Sequence, residues 1–263
     1  MELGLTNKRV IVMASSKGLG KATALQFAKE GSKVLISSRN EEELKQTAED
    51  IIRVSNNQNV YYSVCDITKE NDINQLFETA IAQLGGVDIL VNNAGGPTPG
   101  GFSQVNDDDW NAAFEKNLLS YIRTIRLAIP YMKEQNFGRI VNISSSSTKE
   151  VLDGLILSNT FRLGMVGLSK SVAREYGANN ILINTVGPGR IQTDRVTELD
   201  QIAADKKEVP IEEIREGYKR AIPSGRYGDP EEFAKVVVFL CSEANSYMTG
   251  QNLVIDGGML KAL

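Results

Sequence analysis

Reactive side chains are scarce in this 263-residue chain, and the scarcity bounds its chemistry. It contains no histidine, which excludes Ser-His-Asp and Cys-His catalysis and every His-ligated metal site. Cys65 and Cys241 are far apart, so there is neither a CxxC pair nor a thiolate cluster. A reducing cytoplasm with both thiols free is expected. Asp107, Asp108 and Asp109 form an unbroken run without the alternating spacing of a calcium loop, and predict an acidic helix start. What remains is a glycine turn, Ala14-Ser15-Ser16-Lys17-Gly18-Leu19-Gly20, and a hydroxyl run, Ser144–Ser147. A Gly-rich strand-to-helix turn points backbone N–H groups and a helix N-terminus at a pyrophosphate. Glycine matters there because a Cβ would hold the phosphate away.

The elements around these residues alternate. Arg9–Ala14, Lys33–Ser37, Val60–Val64, Asp88–Val91, Arg139–Ile143 and Ile181–Val186 are short and rich in Val and Ile, as suits strands covered on both faces. Charged, periodic segments lie between them, such as Lys21–Glu30, Glu41–Arg53 and Asp72–Leu84. Leu76, Ala80, Ile81 and Leu84 share one helical stripe, and Asn40 before three glutamates is a predicted N-cap. Strand–helix repetition with right-handed crossovers gives an α/β fold, a single doubly wound parallel sheet of about seven strands with helices on both faces. We expect one domain over residues 1–263, with Ile191–Gly228 as a helical flap. There are 29 Lys+Arg against 33 Asp+Glu, a net charge of −4 with no basic block. That balance argues against a nucleic-acid or anionic-membrane partner. Val236–Cys241 falls far short of the roughly 20 residues that span a bilayer. The N-terminal apolar run Val10–Ala14 is too short for a signal-peptide core.

On these motifs together the chain resembles the short-chain dehydrogenase/reductase family, and closely its 3-oxoacyl-(acyl-carrier-protein) reductase branch. The resemblance covers nearly the whole chain. It rests on the glycine turn, Asp66 after the third strand, Asn92-Asn93-Ala94-Gly95 after the fourth, and Asn117 in the next helix. It continues through Ile143-Ser144-Ser145, Pro188-Gly189 with Thr193, and Thr249-Gly250-Gln251 to Asp256-Gly257-Gly258. The resemblance implies a dinucleotide site built from Ser15, Ser16, Lys17, Gly18, Leu19, Gly20, Ser38, Arg39, Asp66, Ile67, Asn92, Ala94, Gly95, Pro188, Gly189, Ile191 and Thr193. Within it Asp66 would meet the adenine, Asn92, Ala94 and Gly95 would border the adenosine ribose, and Ile191 and Thr193 the nicotinamide side. NAD enzymes commonly carry an acid at the end of the second strand, whereas a cation suits a 2′-phosphate. Here that position is Ser38 followed by Arg39, with Lys17 in the turn, so the expected cofactor is NADP(H). The family commonly assembles as a homotetramer through segments matching Leu118–Met132, Leu155–Tyr176 and Leu253–Ile255; a homotetramer or homodimer is expected.

Two departures from the family pattern stand out. Met13 and Ala14 replace the Thr-Gly that begins its glycine turn, a methyl tolerable where φ stays negative. More consequentially, counting from Ser145 by the family's spacing places Ser158 at the tyrosine position and Arg162 at the lysine position. None of the eight tyrosines is followed four residues later by lysine, so no shifted dyad exists. Ser158 and Arg162 at i and i+4 of a predicted helix face the same way. A serine hydroxyl has no accessible acidic pKa, and arginine stays charged at any workable pH. The expected catalytic set is therefore Asn117, Ser145, Ser158 and Arg162, with Ser144 a rival to Ser145 and Arg162 also at the ribose. The implied activity is carbonyl/alcohol oxidoreduction in a reworked site. A guanidinium suits a carboxylate or phosphate, so the small-molecule substrate is expected to be anionic, with Lys149 and Arg190 adding to the pocket. The alternatives are a cofactor-binding sensor or partner protein without turnover, and a purely structural protein.

Overall fold

The computed structural model describes residues 2–262. Seven strands form one wholly parallel sheet in the order β3-β2-β1-β4-β5-β6-β7. They are β1 (Arg9–Val12), β2 (Lys33–Ser38), β3 (Val60–Val64), β4 (Ile89–Asn92), β5 (Gly138–Ile143), β6 (Ile181–Pro188) and β7 (Asn252–Ile255). The sequence order reverses between β1 and β4, the crevice where open α/β sheets bind ligands. The helices are α1 (Gly18–Lys29), α2 (Glu41–Ser55), α3 (Glu70–Leu84), α4 (Asp107–Phe114), α5 (Ser120–Glu134), α6 (Ile156–Tyr176), α7 (Asp194–Lys207), α8 (Ile211–Ala221) and α9 (Pro230–Leu240). The predicted flap is α7 and α8.

Two apolar layers sandwich the sheet, as near-continuous Val/Ile strands require. On one face Val10, Val12, Val34 and Ile36 pack with Phe27, Leu44, Phe233 and Val237 from α1, α2 and α9. On the other, Ile11, Leu35, Leu90 and Ile140 pack with Leu76, Phe77, Ile129 and Val172 from α3, α5 and α6. Local signals set the helix starts. The Asn40 side chain accepts from the Glu43 N–H, and Asn106 caps α4 in a reciprocal box with Asp109, so the three aspartates are an acidic helix start. Cys65 and Cys241 are free and buried, and burial pushes the Cys65 thiol up to about 12.

Through the apolar layer beneath the crevice runs one buried polar chain. Thr124 Oγ1 donates to Asn92 Oδ1 at 2.7 Å, Asn92 Nδ2 to Asn142 Oδ1 at 2.9 Å, and Asn142 Nδ2 to Ser169 Oγ at 3.0 Å. Ser169 in turn pairs with Thr185 Oγ1 at 2.8 Å. The chain ties α5, β4, β5, α6 and β6 into one register, and every member is at most 1% exposed. Each unsatisfied buried polar group costs about 1–3 kcal/mol. Asn142→Leu is therefore expected to destabilise by about 3 kcal/mol, the Asn92 amide having lost its acceptor. A urea melt with an unchanged slope and a lower midpoint would show this.

Candidate active site

The glycine turn joins β1 to α1. Gly18 adopts φ +57°, and only the Thr193 methyl lies within 4 Å of where its side chain would stand. The groove between this turn and the start of α7 is thus open on the glycine side. At Gly20 a Cβ would meet the Ala14 carbonyl at 2.6 Å, so glycine is needed for α1 to close on β1. Gly187 is equally constrained, its absent Cβ lying 2.4 Å from the Ser145 carbonyl. Thr193 caps α7 by accepting from the Val196 N–H, and Lys17 reaches Asp194 at 3.6 Å across the groove.

After β3, Asp66 accepts from the Thr68 N–H and hydroxyl through Oδ1. Burial opposes its ionisation, but those bonds and the Arg39 cation outweigh it and hold the carboxyl below its ordinary range. Arg39 is exposed and makes no ion pair among the described residues.

The side chains expected to be catalytic gather where β5 ends. Asn117 sits in a wide π turn, Glu115–Leu119, between α4 and α5, a distortion frequent at functional sites. Its Nδ2 donates to the Gly95 carbonyl at 3.0 Å, while Oδ1 is buried without a partner. Ser145 Oγ accepts from the Ser147 N–H at 3.1 Å, and Ser158 Oγ lies 3.3 Å from Ser147 Oγ. Ser144 Oγ is buried and unpartnered. Arg162 is only 4% exposed. Its Nη1 donates to the Ile143 carbonyl at 2.9 Å and to the Tyr121 hydroxyl at 3.3 Å, and that hydroxyl itself donates to the same carbonyl at 3.0 Å. Arg162 Nε is buried without a partner, and no carboxylate pairs with the guanidinium among the described residues.

More cations surround it. Lys116 Nζ donates to the Gly96 carbonyl at 3.3 Å, and Arg195 Nη2 to the Pro97 carbonyl at 3.0 Å. Burial pushes the Lys116 ammonium below the ordinary lysine range, and Arg39, Arg195 and Arg162 push it further. Arg195 is also paired with Glu198 at 2.8 Å, whereas Lys116 and Arg162 have no carboxylate partner among the described residues.

Several sequence expectations need correction. Ser15 is fully buried; its hydroxyl donates to the Val12 carbonyl and accepts from the Ser37 N–H, stitching β1 to β2. The Asn92 side chain belongs to the buried polar chain rather than the crevice. Ile191 and Leu19 turn their side chains into the apolar layer, so only their backbone can face a ligand. Arg190 is not a free pocket cation. It donates to buried Asp200 at 2.6 Å and stacks on Tyr218 at 3.5 Å, anchoring the flap. Lys149 stays exposed and makes no ion pair among the described residues. Sequence reasoning also missed Tyr121, Ser147, Lys116, Arg195, and Glu43, whose carboxylate accepts from Ser16 Oγ at 2.8 Å. Tyr121 lies one turn beyond Asn117, the one signal that could have flagged it.

A family model described as Enoyl-(Acyl carrier protein) reductase matches residues 13–260. The chain is 37% identical to the 3-oxoacyl-[acyl-carrier-protein] reductase FabG of Aquifex aeolicus, over 98% of this chain and all of that protein. It is 31% identical to the NADPH-dependent reductase BacG of Bacillus subtilis, again over 98% of this chain and all of the relative. Among solved structures, L-sorbose reductase from Gluconobacter frateurii, complexed with NADPH and L-sorbose, superposes with a TM-score of 0.94 at 28% identity over the full length of both chains.

The methyl in the glycine turn adopts the conformation that disfavours it. Ala14 has φ +45°, a left-handed backbone that glycine reaches freely. Asn93 Nδ2 donates to the Ala14 carbonyl at 2.9 Å and holds it there. Such a residue costs about 1–2 kcal/mol. Ala14→Gly is expected to stabilise by about 1 kcal/mol, raising the thermal midpoint by roughly 2–4 °C; calorimetry of the two proteins checks it.

Proposed function

The chain belongs to the short-chain dehydrogenase/reductase family, and we propose that it is an NADP(H)-dependent oxidoreductase acting on a carbonyl/alcohol pair of an anionic small molecule. The observation that carries this reading is the buried Arg162 cation without a carboxylate partner. A buried charge is costly unless it is paired and hydrogen-bonded. An anion arriving in the crevice would supply the missing partner.

The residues fit a dinucleotide. The open groove at Gly18 admits a diphosphate against backbone N–H groups, and Asp66 keeps Oδ2 free of intramolecular bonds for an adenine amine. Arg39 supplies an unpaired cation at the ribose end and Lys17 a second in the turn, which supports NADP(H) over NAD(H). The NADPH-dependent reductase BacG and the NADPH complex of L-sorbose reductase support the same choice. When bound, the nicotinamide supplies or accepts the hydride.

The chain's own side chains orient the reacting carbonyl and steady charge around it. Ser145 and Ser158 place hydroxyls in the site as hydrogen-bond donors. Arg162 fixes positive charge without offering a proton, because guanidinium does not titrate in the working range. Losing a positioned acid costs typically ~10²–10⁴-fold, while positioning and electrostatic stabilisation persist. Turnover is expected to be slow, with the proton delivered by water. That missing acid favours one second reading, a cofactor-binding partner protein without turnover. Exposed Tyr131 and Leu163 on the segments named for assembly support a homo-oligomer.

Fluorescence titration and an NADPH-oxidation assay test the proposal together. NADPH is expected to bind at least tenfold tighter than NADH; equal affinities would refute the cofactor choice. Arg39→Ser should abolish the preference, and Glu43→Gln should strengthen NADPH binding by removing a like charge from the ribose corner. Oxidation is expected with oxo acids above neutral ketones. Tight binding with no oxidation by oxo acids, 3-oxoacyl thioesters or quinones would favour the non-catalytic reading.

A further inference from the structure

The guanidinium of Arg162 is held on one side only. Nη1 is the nitrogen cis to Cδ, so its bonds to the Ile143 carbonyl and the Tyr121 hydroxyl leave the opposite edge, Nε with Nη2, without a hydrogen bond to the protein. That edge presents two parallel N–H donors, the fork that matches the two oxygens of a carboxylate. A tetrahedral phosphate also accepts from such a fork, but only the planar carboxylate matches it in one plane.

The clamp on Nη1 is built from the inside. Tyr121 is 2% exposed, and its hydroxyl donates to the Ile143 carbonyl at 3.0 Å, so turning the ring away would leave a buried hydroxyl without its acceptor. Ile143 immediately precedes Ser144 and Ser145. Tyr121 stands at i+4 from Asn117, on the helix that continues out of the π turn. One phenol thus links the arginine, the serine-bearing strand end and the asparagine-bearing turn.

We propose that Tyr121 is a positioning residue that locks Nη1 of Arg162 and so presents the Nε–Nη2 edge as a bidentate receptor for the free carboxylate of the substrate. This rests on the anionic-substrate reading above and narrows it, since a thioester offers no carboxylate to the fork. Tyr121 does not touch the substrate; it acts through Arg162.

The test uses the intact chain and benzoate as probe, with neutral benzamide as its isostere. Spectra of protein labelled with ¹⁵N-arginine follow the Nε–H of Arg162, identified by its absence in Arg162→Gln. In the wild-type protein benzoate is expected to shift that resonance saturably and benzamide to leave it unmoved. In Tyr121→Phe, benzoate binding is expected to weaken about tenfold while NADPH affinity and the thermal midpoint change little. Were that variant not to fold, Tyr121→Met, whose flexible side chain fills similar space, carries the same expectation. Unchanged benzoate affinity in the variant would overturn the role of Tyr121 and leave the anionic-substrate reading standing. A wild-type resonance indifferent to benzoate would overturn the carboxylate receptor itself, whereas NADPH binding is scored separately.

Discussion

A positive charge sits inside this protein with no carboxylate paired to it among the described residues. Arg162 is nearly sealed from solvent, one nitrogen is bonded to a carbonyl and a phenol, and another has no partner. The desolvation penalty for such a group is several kcal/mol even after relaxation. Burying it is tolerable because Nη1 finds two acceptors in Ile143 and Tyr121. Lys116 and Arg39 add positive charge nearby; burial first, and then the neighbouring cations, lower the affinity of Lys116 for its proton. On the reading proposed above, an incoming anion completes the site, and stability surrendered at a functional centre is how many sites hold charge ready.

What holds the arrangement is the sheet beneath. The polar chain from Thr124 through Asn92, Asn142 and Ser169 to Thr185 fixes β4, β5 and β6 relative to α5 and α6. Ile143 and the serines after it therefore meet Tyr121 and Arg162 in one register. The flap is held by another logic. Few apolar side chains of α7 and α8 are buried, and the buried Asp200 carboxylate grips Arg190 and the Tyr227 hydroxyl instead. Elements with little apolar burial open at low cost, which suits the segment beside a ligand crevice.

Much of this was legible in the residue order. Short Val/Ile runs marked six strands to within two residues at each end; β1 stops at Val12 because Met13 and Ala14 leave the extended conformation for the turn. Asn40 and the three aspartates marked helix starts through chemistry confined to four residues. The i, i+4 spacing put Ser158 and Arg162 on one face of α6. The remainder depends on contacts between residues far apart in sequence. Nothing near Arg162 reveals that its guanidinium turns toward Tyr121, 41 residues earlier. Glu43 meets Ser16 only because α2 begins beside the glycine turn, and Arg190 pairs with Asp200 only once α7 folds back. Ser15 and Asn92 carry motif positions, yet their side chains serve the sheet. Ala14 shows the same limit from the other direction: its composition suggested negative φ, and the packing of α1 on β1 imposes the opposite.

The central claim is that Arg162 costs the ligand-free protein stability, and replacing it with a neutral side chain of similar length measures that directly. In Arg162→Met the Tyr121 hydroxyl still donates to the Ile143 carbonyl, so no buried group is orphaned. Exchanging buried charges for packed apolar groups is often neutral or stabilising by about 1–4 kcal/mol. The account predicts that the ligand-free variant unfolds at the same or a higher urea concentration than the parent. Destabilisation by about 3–5 kcal/mol, the cost of breaking a well-satisfied buried pair, would mean that the protein already neutralises Arg162 and that no anion is awaited.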